Sequence, residues 1–371
     1  MSVVLVANMA GQLRVVPGAP LPRSLSSSRQ DWAARVGAGQ PVTLVPGLMA
    51  SQFSLCGNAH RVCAQLAIDA ARPDHPAGAQ PDIGERLRLE TAQEHIRRIG
   101  LDWPRLLGTD GAETAPGLAT CPALRHTGDA VWPALRSWLQ QHWLQMDPAA
   151  WLANWLSGAG DWLHAWSQQH SSWLAGRLRA ARSADMPDLA LNRAHALQAH
   201  ASLEHLQTLG ASIDREDGIA LQPTWQHHTA HTGNWARLST PADQPALSPW
   251  ALLGSRIAEL VRLCLPEGAH WLRWGALNAQ PGQGIGWVEM ARGLLVHQVT
   301  LSDDGTTAQR CRVLAPTEWN FHPRGEVAQR LSAMDPTSPS LLPQVGLLMA
   351  AFDPCVPFEL VPQNMPEVTH A

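Results

Sequence analysis

Three residues near position 60 carry side chains that commonly bind metals. Cys56, His60 and Cys63 stand at positions i, i+4 and i+7 of the stretch "CGNAHRVC". On a helix this spacing places all three within about 60° of one face, where thiolate and imidazole groups could hold zinc or iron. The pattern specifies no fourth ligand and lacks the paired cysteines typical of structural zinc sites. Local metal binding and simple burial of the thiols are therefore both open.

The composition limits the compartment and the partners. The chain has six cysteines in 371 residues, a formal charge of −4 and no run of basic residues. The N-terminus lacks the features of an export signal, and no segment has about 18 unbroken apolar residues. We therefore expect a cytoplasmic protein without disulfides, nucleic-acid partners or a membrane partner.

Two stretches at opposite ends of the chain resemble the metal motifs of the nickel–iron hydrogenase large-subunit family. "LCGNAHRVCAQLA" at 55–67 is similar to the family's N-terminal Cys-Gly-x-Cys-x-x-x-His motif. "AFDPCVPFELV" at 351–361 is similar to its C-terminal "SFDPCxxCxxH" motif. The resemblance implies that Cys56 and Cys355 belong to one metal site.

Four further stretches resemble segments of the same family, in the same order. They are "MAGQLRV" at 9–15 (family "IEGHLRI"), "HTGNWARL" at 231–238 ("ETGPLAR"), "EMARGLLVHQVTL" at 289–301 (the "APRG" strand) and "RVLAPTEWNFHPR" at 312–324 ("VPTTWN"). The resemblance thus extends over nearly the whole chain. It implies a single large-subunit-like domain over residues 1–371.

The chain departs from this family at the residues that build the nickel–iron centre. In the family, four thiolates hold a nickel and an iron that carries cyanide and carbon monoxide. The second cysteine of each pair, which bridges the metals, corresponds here to Ala59 and Phe358. The later histidines of the two motifs fall on Cys63 and Val361, and the glutamate associated with proton transfer falls on Ala10. We therefore expect neither nickel binding nor hydrogenase catalysis.

Residues that serve the iron in the family are retained. Arg292 in "MARGLL" matches the arginine beside the diatomic ligands, although Ala291 replaces the family's proline. Thr317 in "APTEWN" matches the residue that addresses a cyanide. A guanidinium offers fixed N–H donors suited to a cyanide nitrogen. The alternatives are that Arg292 is a solvated strand-end charge, Thr317 a turn residue and Cys355 a buried thiol.

A large-subunit-like chain without bridging cysteines is similar to the hydrogenase expression/formation accessory proteins of the HupK/HoxV type. This resemblance implies a non-catalytic scaffold that carries an Fe(CN)2CO moiety transiently and passes it to the hydrogenase large subunit, with maturation proteins as further partners. Cys56 and Cys355 would bind the iron. Arg292 and Thr317 would donate hydrogen bonds to the cyanides. His60 and Cys63 would be additional possible ligands or would contact the ligands. Two alternatives are open: a metal-free interaction protein, and a divergent metal-dependent oxidoreductase that uses the Cys56, His60 and Cys63 group.

The sequence pattern predicts which elements position these residues. Helices are predicted over 57–72, 85–98, most of 129–209, 251–265 and 341–351. Hairpins are predicted for 3–7 with 12–16, and for 286–301 with 308–317 around the turn "SDDG". The expected class is α+β, with a large helical-bundle body and small antiparallel β-hairpins.

A Trp-rich helical region spans about 129–184. Trp151, Trp162 and Trp173 recur every eleven residues, and "SGAG" at 157–160 breaks the helical pattern between the first two. A pair of helices with indoles packed between them explains this spacing without a repeat architecture. Core packing is therefore favoured over a Trp face that binds a partner.

Overall fold

The computed structural model describes residues 11–72, 82–108, 114–189, 191, 195–237 and 248–362. Helices provide most of the regular structure in this part of the chain, and the predicted α+β class is confirmed. In chain order the elements are β1 (Leu13–Val15), β2 (Leu25–Ser27), α1 (Trp32–Gly37), β3 (Gln40–Pro41), α2 (Val45–Gln52), α3 (Gly57–Ala71), α4 (Ile83–Arg97), α5 (Trp103–Leu106), α6 (Pro122–Arg125), α7 (Val131–Leu139), α8 (Pro148–Gln169), α9 (Trp173–Arg182), α10 (Leu203–Arg215), α11 (Asn234–Arg237), α12 (Pro249–Cys264), β4 (Trp274–Gln280), β5 (Gln283–Met290), β6 (Gly293–Leu301), β7 (Thr307–Leu314), α13 (Pro316–Asn320), α14 (Glu326–Ser332), α15 (Leu341–Phe352) and β8 (Phe358–Leu360).

The larger sheet has the strand order β3-β7-β6-β5-β4, with antiparallel neighbours throughout. The predicted hairpin over 286–301 and 308–317 corresponds to three of these strands, because the chain reverses at Ala291 and Arg292 between β5 and β6. Strand β4 was not predicted. The sheet is therefore larger than the small hairpin that the sequence pattern indicated.

The smaller sheet joins the two ends of the described chain. Strand β1 pairs antiparallel with β2 and parallel with β8, so that Leu13 faces Ser27 on one side and Phe358 on the other. The predicted strand at 12–16 is present, but its partners differ from the expected hairpin. Residues 3–7 and Ala10 lie outside the described residues. The parallel pair fixes the segment that follows Cys355 against the N-terminal region.

Helix α3 lies directly on the larger sheet. A Cβ at Gly286 would lie 2.2 Å from the carbonyl oxygen of Cys63, and one at Gly284 would lie 2.0 Å from that of Ala67. Because only glycine leaves room for such close contact, these two positions set the distance between helix and strand. Helix α3 and the strands that precede and follow Arg292 are thereby held against each other.

The indoles of the Trp-rich region pack in the core. Trp151, Trp155 and Trp166 are buried, and Trp151 makes an edge contact with Trp162. Helix α8 is kinked at Ala159 (φ 39°, ψ −120°), within the "SGAG" segment. The described residues between 183 and 198, by contrast, contain no α-helix, which corrects the prediction of helix over most of 129–209.

In the described part of the chain, no helix combines the length and the apolar character needed to cross a membrane.

Candidate metal-binding site

Cys56 is held at the beginning of a helix. A 3-10 turn over Ser54–Cys56 leads into α3, and Cys56 is the N-cap residue. Glu90 of α4 accepts hydrogen bonds from the backbone N–H groups of Asn58 and Ala59, both at 2.8 Å. A carboxylate at this position satisfies free N–H groups and the positive end of the helix dipole. The backbone that carries the Cys56 thiol is therefore well fixed.

The Cys56 thiol is protonated at neutral pH. Burial raises its pKa above the ordinary range, and the nearby Arg292 guanidinium only partly offsets this effect. A metal that binds this sulfur must therefore displace a proton.

Cys355 is held by side chains from two other parts of the chain. Helix α15 ends at Phe352, and the chain turns towards Cys355 at the next residue, Asp353, which has a positive φ of 52°. Thr317 Oγ1 donates to Cys355 Sγ at 3.0 Å, and Arg29 Nη1 donates to the same sulfur at 3.1 Å. The Cys355 backbone N–H in turn donates to Thr317 Oγ1 at 3.2 Å.

The two cysteines line one cavity with a volume of about 120 Å³. At about 30 Å³ per water molecule in the liquid, this volume corresponds to about four water molecules. The four residues expected from the sequence to serve an iron fragment all line this cavity: Cys56, Arg292, Thr317 and Cys355.

Arg292 is a buried cation with one unused donor group. It is 2% exposed, its Nη2 donates to Glu94 Oε2 at 2.8 Å, and its Nε donates to the carbonyl oxygen of Asp353 at 3.1 Å. Its Nη1 has no hydrogen-bond partner among the described residues. This burial rules out the alternative of a solvated strand-end charge. A buried N–H group without a partner is costly, and an anionic ligand would satisfy it.

Asp353 connects Arg292 to two further cations. Its carboxylate lies 2.9 Å from Arg98 Nε, 3.1 Å from Arg256 Nη1 and 3.2 Å from Arg292 Nε. Burial alone would raise the pKa of Asp353, but Arg292 and Arg256 outweigh this effect and lower it. The carboxylate therefore stays charged and fixes the position of the Arg292 guanidinium.

His60 and Cys63 do not form a metal site with Cys56. His60 lines the cavity, but its Nδ1 lies 3.0 Å from Nε2 of the buried His297, and its ring stacks on Phe53. Burial and the neighbouring His297 lower the pKa of His60 well below its usual value, so the ring is neutral. Cys63 Sγ points to the sheet, where it donates to the carbonyl oxygen of Gly286 at 3.2 Å.

The local three-ligand interpretation is therefore corrected. Among the described residues, no group of three or more His, Cys, Asp and Glu side chains is arranged to hold a metal ion. Helical periodicity predicted that Cys63 lies near the same helix face as Cys56 and His60. In the structure the sheet covers the part of that face where Cys63 lies. Cys63 is a packing residue of the helix–sheet contact.

Three positions of the two motifs, where the resemblance implies two bridging cysteines and a histidine, carry apolar side chains here. Ala59 is fully buried, and Phe358 lies half-buried at the start of β8. Val361 is buried against Val16 and Ala19. None of these side chains offers a metal ligand.

Three charged residues around the cavity were not identified from the sequence. Arg29 and Glu318 form an ion pair with 2.5 Å between Nε and Oε1, and Glu94 holds Arg292. Glu318 lies within the quoted segment "APTEWN", where the departure from "VPTTWN" was a usable signal. Arg29 and Glu94 lie outside all the quoted motifs, so only tertiary contacts reveal them.

Comparisons with known proteins agree with the large-subunit-like fold. No family model matches the chain. The chain is 36% identical to the hydrogenase expression/formation protein HoxV of Cupriavidus necator, over 98% of both chains. It is 30% identical to the hydrogenase expression/formation proteins HupK of Bradyrhizobium diazoefficiens and of Rhizobium leguminosarum bv. viciae, with 88% and 91% of each chain covered.

A solved structure with the same fold is the as-isolated oxidized Ni-Fe-Se hydrogenase of Desulfovibrio vulgaris Hildenborough. The TM-score is 0.50 at 14% sequence identity, and the alignment covers 89% of this chain and 92% of the other. At this identity the likeness concerns the fold alone. It confirms the prediction of a hydrogenase-like α+β architecture.

Proposed function

This chain belongs to the family of hydrogenase expression/formation proteins that includes HoxV and HupK, and we propose that it carries an Fe(CN)2CO fragment during nickel–iron hydrogenase maturation. The fragment is cargo, which the chain holds transiently and passes to the hydrogenase large subunit. On this proposal the protein is a scaffold and catalyses no reaction.

One observation carries the proposal: two thiols and a buried, unused guanidinium N–H belong to residues that line the same cavity. Thiolates are soft ligands suited to iron that carries strong-field diatomics. An arginine N–H is always charged and has a fixed direction, so it suits the nitrogen of an iron-bound cyanide. The residues thus offer both the ligands and the donor that such a fragment needs.

The contact between Thr317 and the Cys355 sulfur also supports the proposal. Its hydroxyl donates to Cys355 Sγ at 3.0 Å, which orients the ligand. A hydroxyl this close to an iron-binding sulfur is also within reach of a ligand on that iron. The predicted contact of Thr317 with a cyanide is therefore part of the proposal.

The cysteine sets give a direction to the transfer. The four cysteines of a hydrogenase large subunit can bind nickel beside the iron, whereas this chain offers its two thiols to the iron fragment alone. We therefore expect the large subunit, with nickel, to hold the fragment more firmly than this chain does. Without bridging sulfurs, this chain is expected to hold no nickel. The cytoplasmic location and the maturation partners stay predictions.

Infrared spectroscopy tests this function. The full chain is purified without oxygen from a host that makes the hydrogenase maturation machinery, and bands of iron-bound cyanide and carbon monoxide are expected. Cys56→Ser and Cys355→Ser should each lose these bands. The matched control is Cys264→Ser, because Cys264 is a buried cysteine in α12 that does not line the cavity.

Each other result points to a different function. Stoichiometric metal without cyanide and carbonyl bands would favour a metal-dependent oxidoreductase. Absence of both metal and bands would favour a metal-free interaction protein. Bands that persist in both cysteine variants would remove these thiols from the site.

A further inference from the structure

The sulfur of Cys355 accepts a hydrogen bond from a cation, whereas Arg292, the cation near Cys56, makes no hydrogen bond to the Cys56 sulfur. Arg29 Nη1 donates to Cys355 Sγ at 3.1 Å, and Arg29 itself lines the cavity. Among the described residues, no side chain donates a hydrogen bond to Cys56 Sγ. The two candidate iron ligands therefore have different electrostatic surroundings.

Glu318 fixes Arg29 in this position. The two side chains form an ion pair with 2.5 Å between Nε and Oε1, and they are 11% and 7% exposed. Glu318 follows Thr317 directly in α13. The same short helix therefore supplies one hydrogen bond to the Cys355 sulfur and the anchor of the residue that supplies the other.

Hydrogen bonds to a thiolate reduce the electron density that the sulfur can give to a metal. A guanidinium does so strongly, because a charge-assisted hydrogen bond is about twice as strong as a neutral one. The cation also stabilises the thiolate once its bond to the metal is broken. Both effects make an iron–sulfur bond at Cys355 easier to exchange than one at Cys56.

We infer that Arg29, fixed by Glu318, is a positioning residue that makes Cys355 the first thiolate to exchange when the iron fragment leaves. The inference rests on the proposed carrier function. In the exchange, a thiolate of the recipient forms a new iron–sulfur bond while the bond to Cys355 breaks. The electron pair of the broken bond stays on the Cys355 sulfur, and the iron keeps its oxidation state.

The location of Cys355 agrees with this order. Cys355 also lines a second, larger groove of about 580 Å³, which Cys56 does not line. The groove and the cavity share Leu55, Cys355 and Val356. A recipient thiolate can therefore approach the iron from the groove on the side of Cys355.

The test uses the loaded full-length protein with Arg29→Gln, Glu318→Gln and the conservative Arg29→Lys. Arg29→Gln should move the carbon monoxide band to lower wavenumber, because a sulfur without the cation donates more electron density to the iron. Glu318→Gln should move it in the same direction by less. Arg29→Lys should restore much of the original position, and Arg23→Gln, a change of an exposed arginine, should leave the band unchanged.

The rate of exchange gives an independent measurement. With excess dithiothreitol under anaerobic conditions, the bands of Arg29→Gln should disappear about tenfold more slowly than those of the unaltered protein. A merely structural role would leave the band position unchanged and speed the loss. If Arg29→Gln folds poorly, Glu318→Gln gives the same readouts with the arginine retained.

The outcomes separate this inference from the carrier function. Bands in the unaltered protein that neither Arg29→Gln nor Glu318→Gln moves or slows would overturn the role of Arg29 alone. Faster loss in Arg29→Gln would overturn it as well. An unaltered protein without any cyanide and carbonyl bands would overturn both the inference and the carrier function.

Discussion

The two cysteines that line the cavity are held in different ways. Cys56 begins a helix that lies tightly on the sheet, its backbone neighbours are bound by Glu90, and the residue is 7% exposed. Cys355 lies in the short connection between α15 and β8, is half-buried, and depends on side chains of Arg29 and Thr317. The comparison indicates a rigid anchor at Cys56 and an adjustable, accessible ligand at Cys355.

The largest expected difference concerns two arginines that line the cavity, Arg292 and Arg29. Arg292→Met leaves Glu94 and Asp353 as buried carboxylates with a lost partner, and should lower the free energy of unfolding by about 3–5 kcal/mol. Arg29→Met removes one ion pair at a partly exposed position and should cost about 1–2 kcal/mol. Urea unfolding measures both values. Equal losses would contradict the expectation that Arg292 contributes more to stability than Arg29.

Reactivity of the thiols should differ by about two orders of magnitude. In the native protein, iodoacetamide should alkylate Cys355 first, since it is the half-buried cysteine. The other five thiols are buried, and burial raises the pKa of each: Cys56, Cys63, Cys121, Cys264 and Cys311. Mass spectrometry of timed samples identifies the labelled residue. Cys355→Ser should abolish the fast phase, and fast labelling of Cys56 would reverse the comparison.

The stability of the folded protein should be sensitive to acid because of the buried pair of histidines near Cys56, His60 and His297. Burial lowers the pKa of His297 to about 3, and the pKa of His60 is lowered as well. As the pH falls below about 6.5, the unfolded chain binds protons that the folded protein excludes, so stability is lost. Between pH 7 and 5, protonation of His297 alone should cost about 2 kcal/mol, and His60 adds to this loss.

His297→Asn should remove the part of this stability loss that results from protonation of His297 in the unfolded chain. Urea unfolding at several pH values measures the slope, and His126→Asn, which changes an exposed histidine, is the control. An unchanged slope in His297→Asn would mean that this pair does not set the acid limit.

A second pH dependence, of the opposite sign, is expected at Glu90, which holds the beginning of α3. Burial raises the pKa of this carboxyl to about 7, and its hydrogen bonds to backbone N–H groups only partly oppose the shift. The folded state therefore binds a proton more readily than the unfolded state, and stability decreases as the pH rises from about 4.5 to 7. Between pH 5 and 8, Glu90→Gln should remove a loss of about 2–3 kcal/mol that the unaltered protein shows. Parallel stability curves for the two proteins would exclude this contribution.

The helices that position the site could be predicted from local sequence. The predicted segment 57–72 corresponds to α3, 251–265 to α12 and 341–351 to α15, each within a few residues. Their apolar periodicity and the Gly and Pro residues at their ends are local signals. The sequence did not predict the partners of β1 or the extra strand β4, since strand pairing joins residues that are distant in sequence. It also did not predict the end of the helical region after α9.

The sequence identified the candidate ligands better than their surroundings. The motif resemblance selected Cys56, Arg292, Thr317 and Cys355, and all four line one cavity. It did not select Arg29, although that side chain contacts the Cys355 sulfur, because nothing near Arg29 in the chain marks it. Conversely, helical periodicity predicted Cys63 as a possible metal ligand, but its thiol faces the sheet.

The sequence by itself determined the α+β class, the core helices and the pair of thiols without bridging partners, since these follow from local periodicity and from residue identity within motifs. Only the tertiary structure decided that Cys63 packs on a strand, that Arg292 keeps a free donor and that Arg29 reaches Cys355. Hydrogen bonds and ion pairs of this kind depend on distances of a few ångströms between remote segments, and no local pattern encodes them.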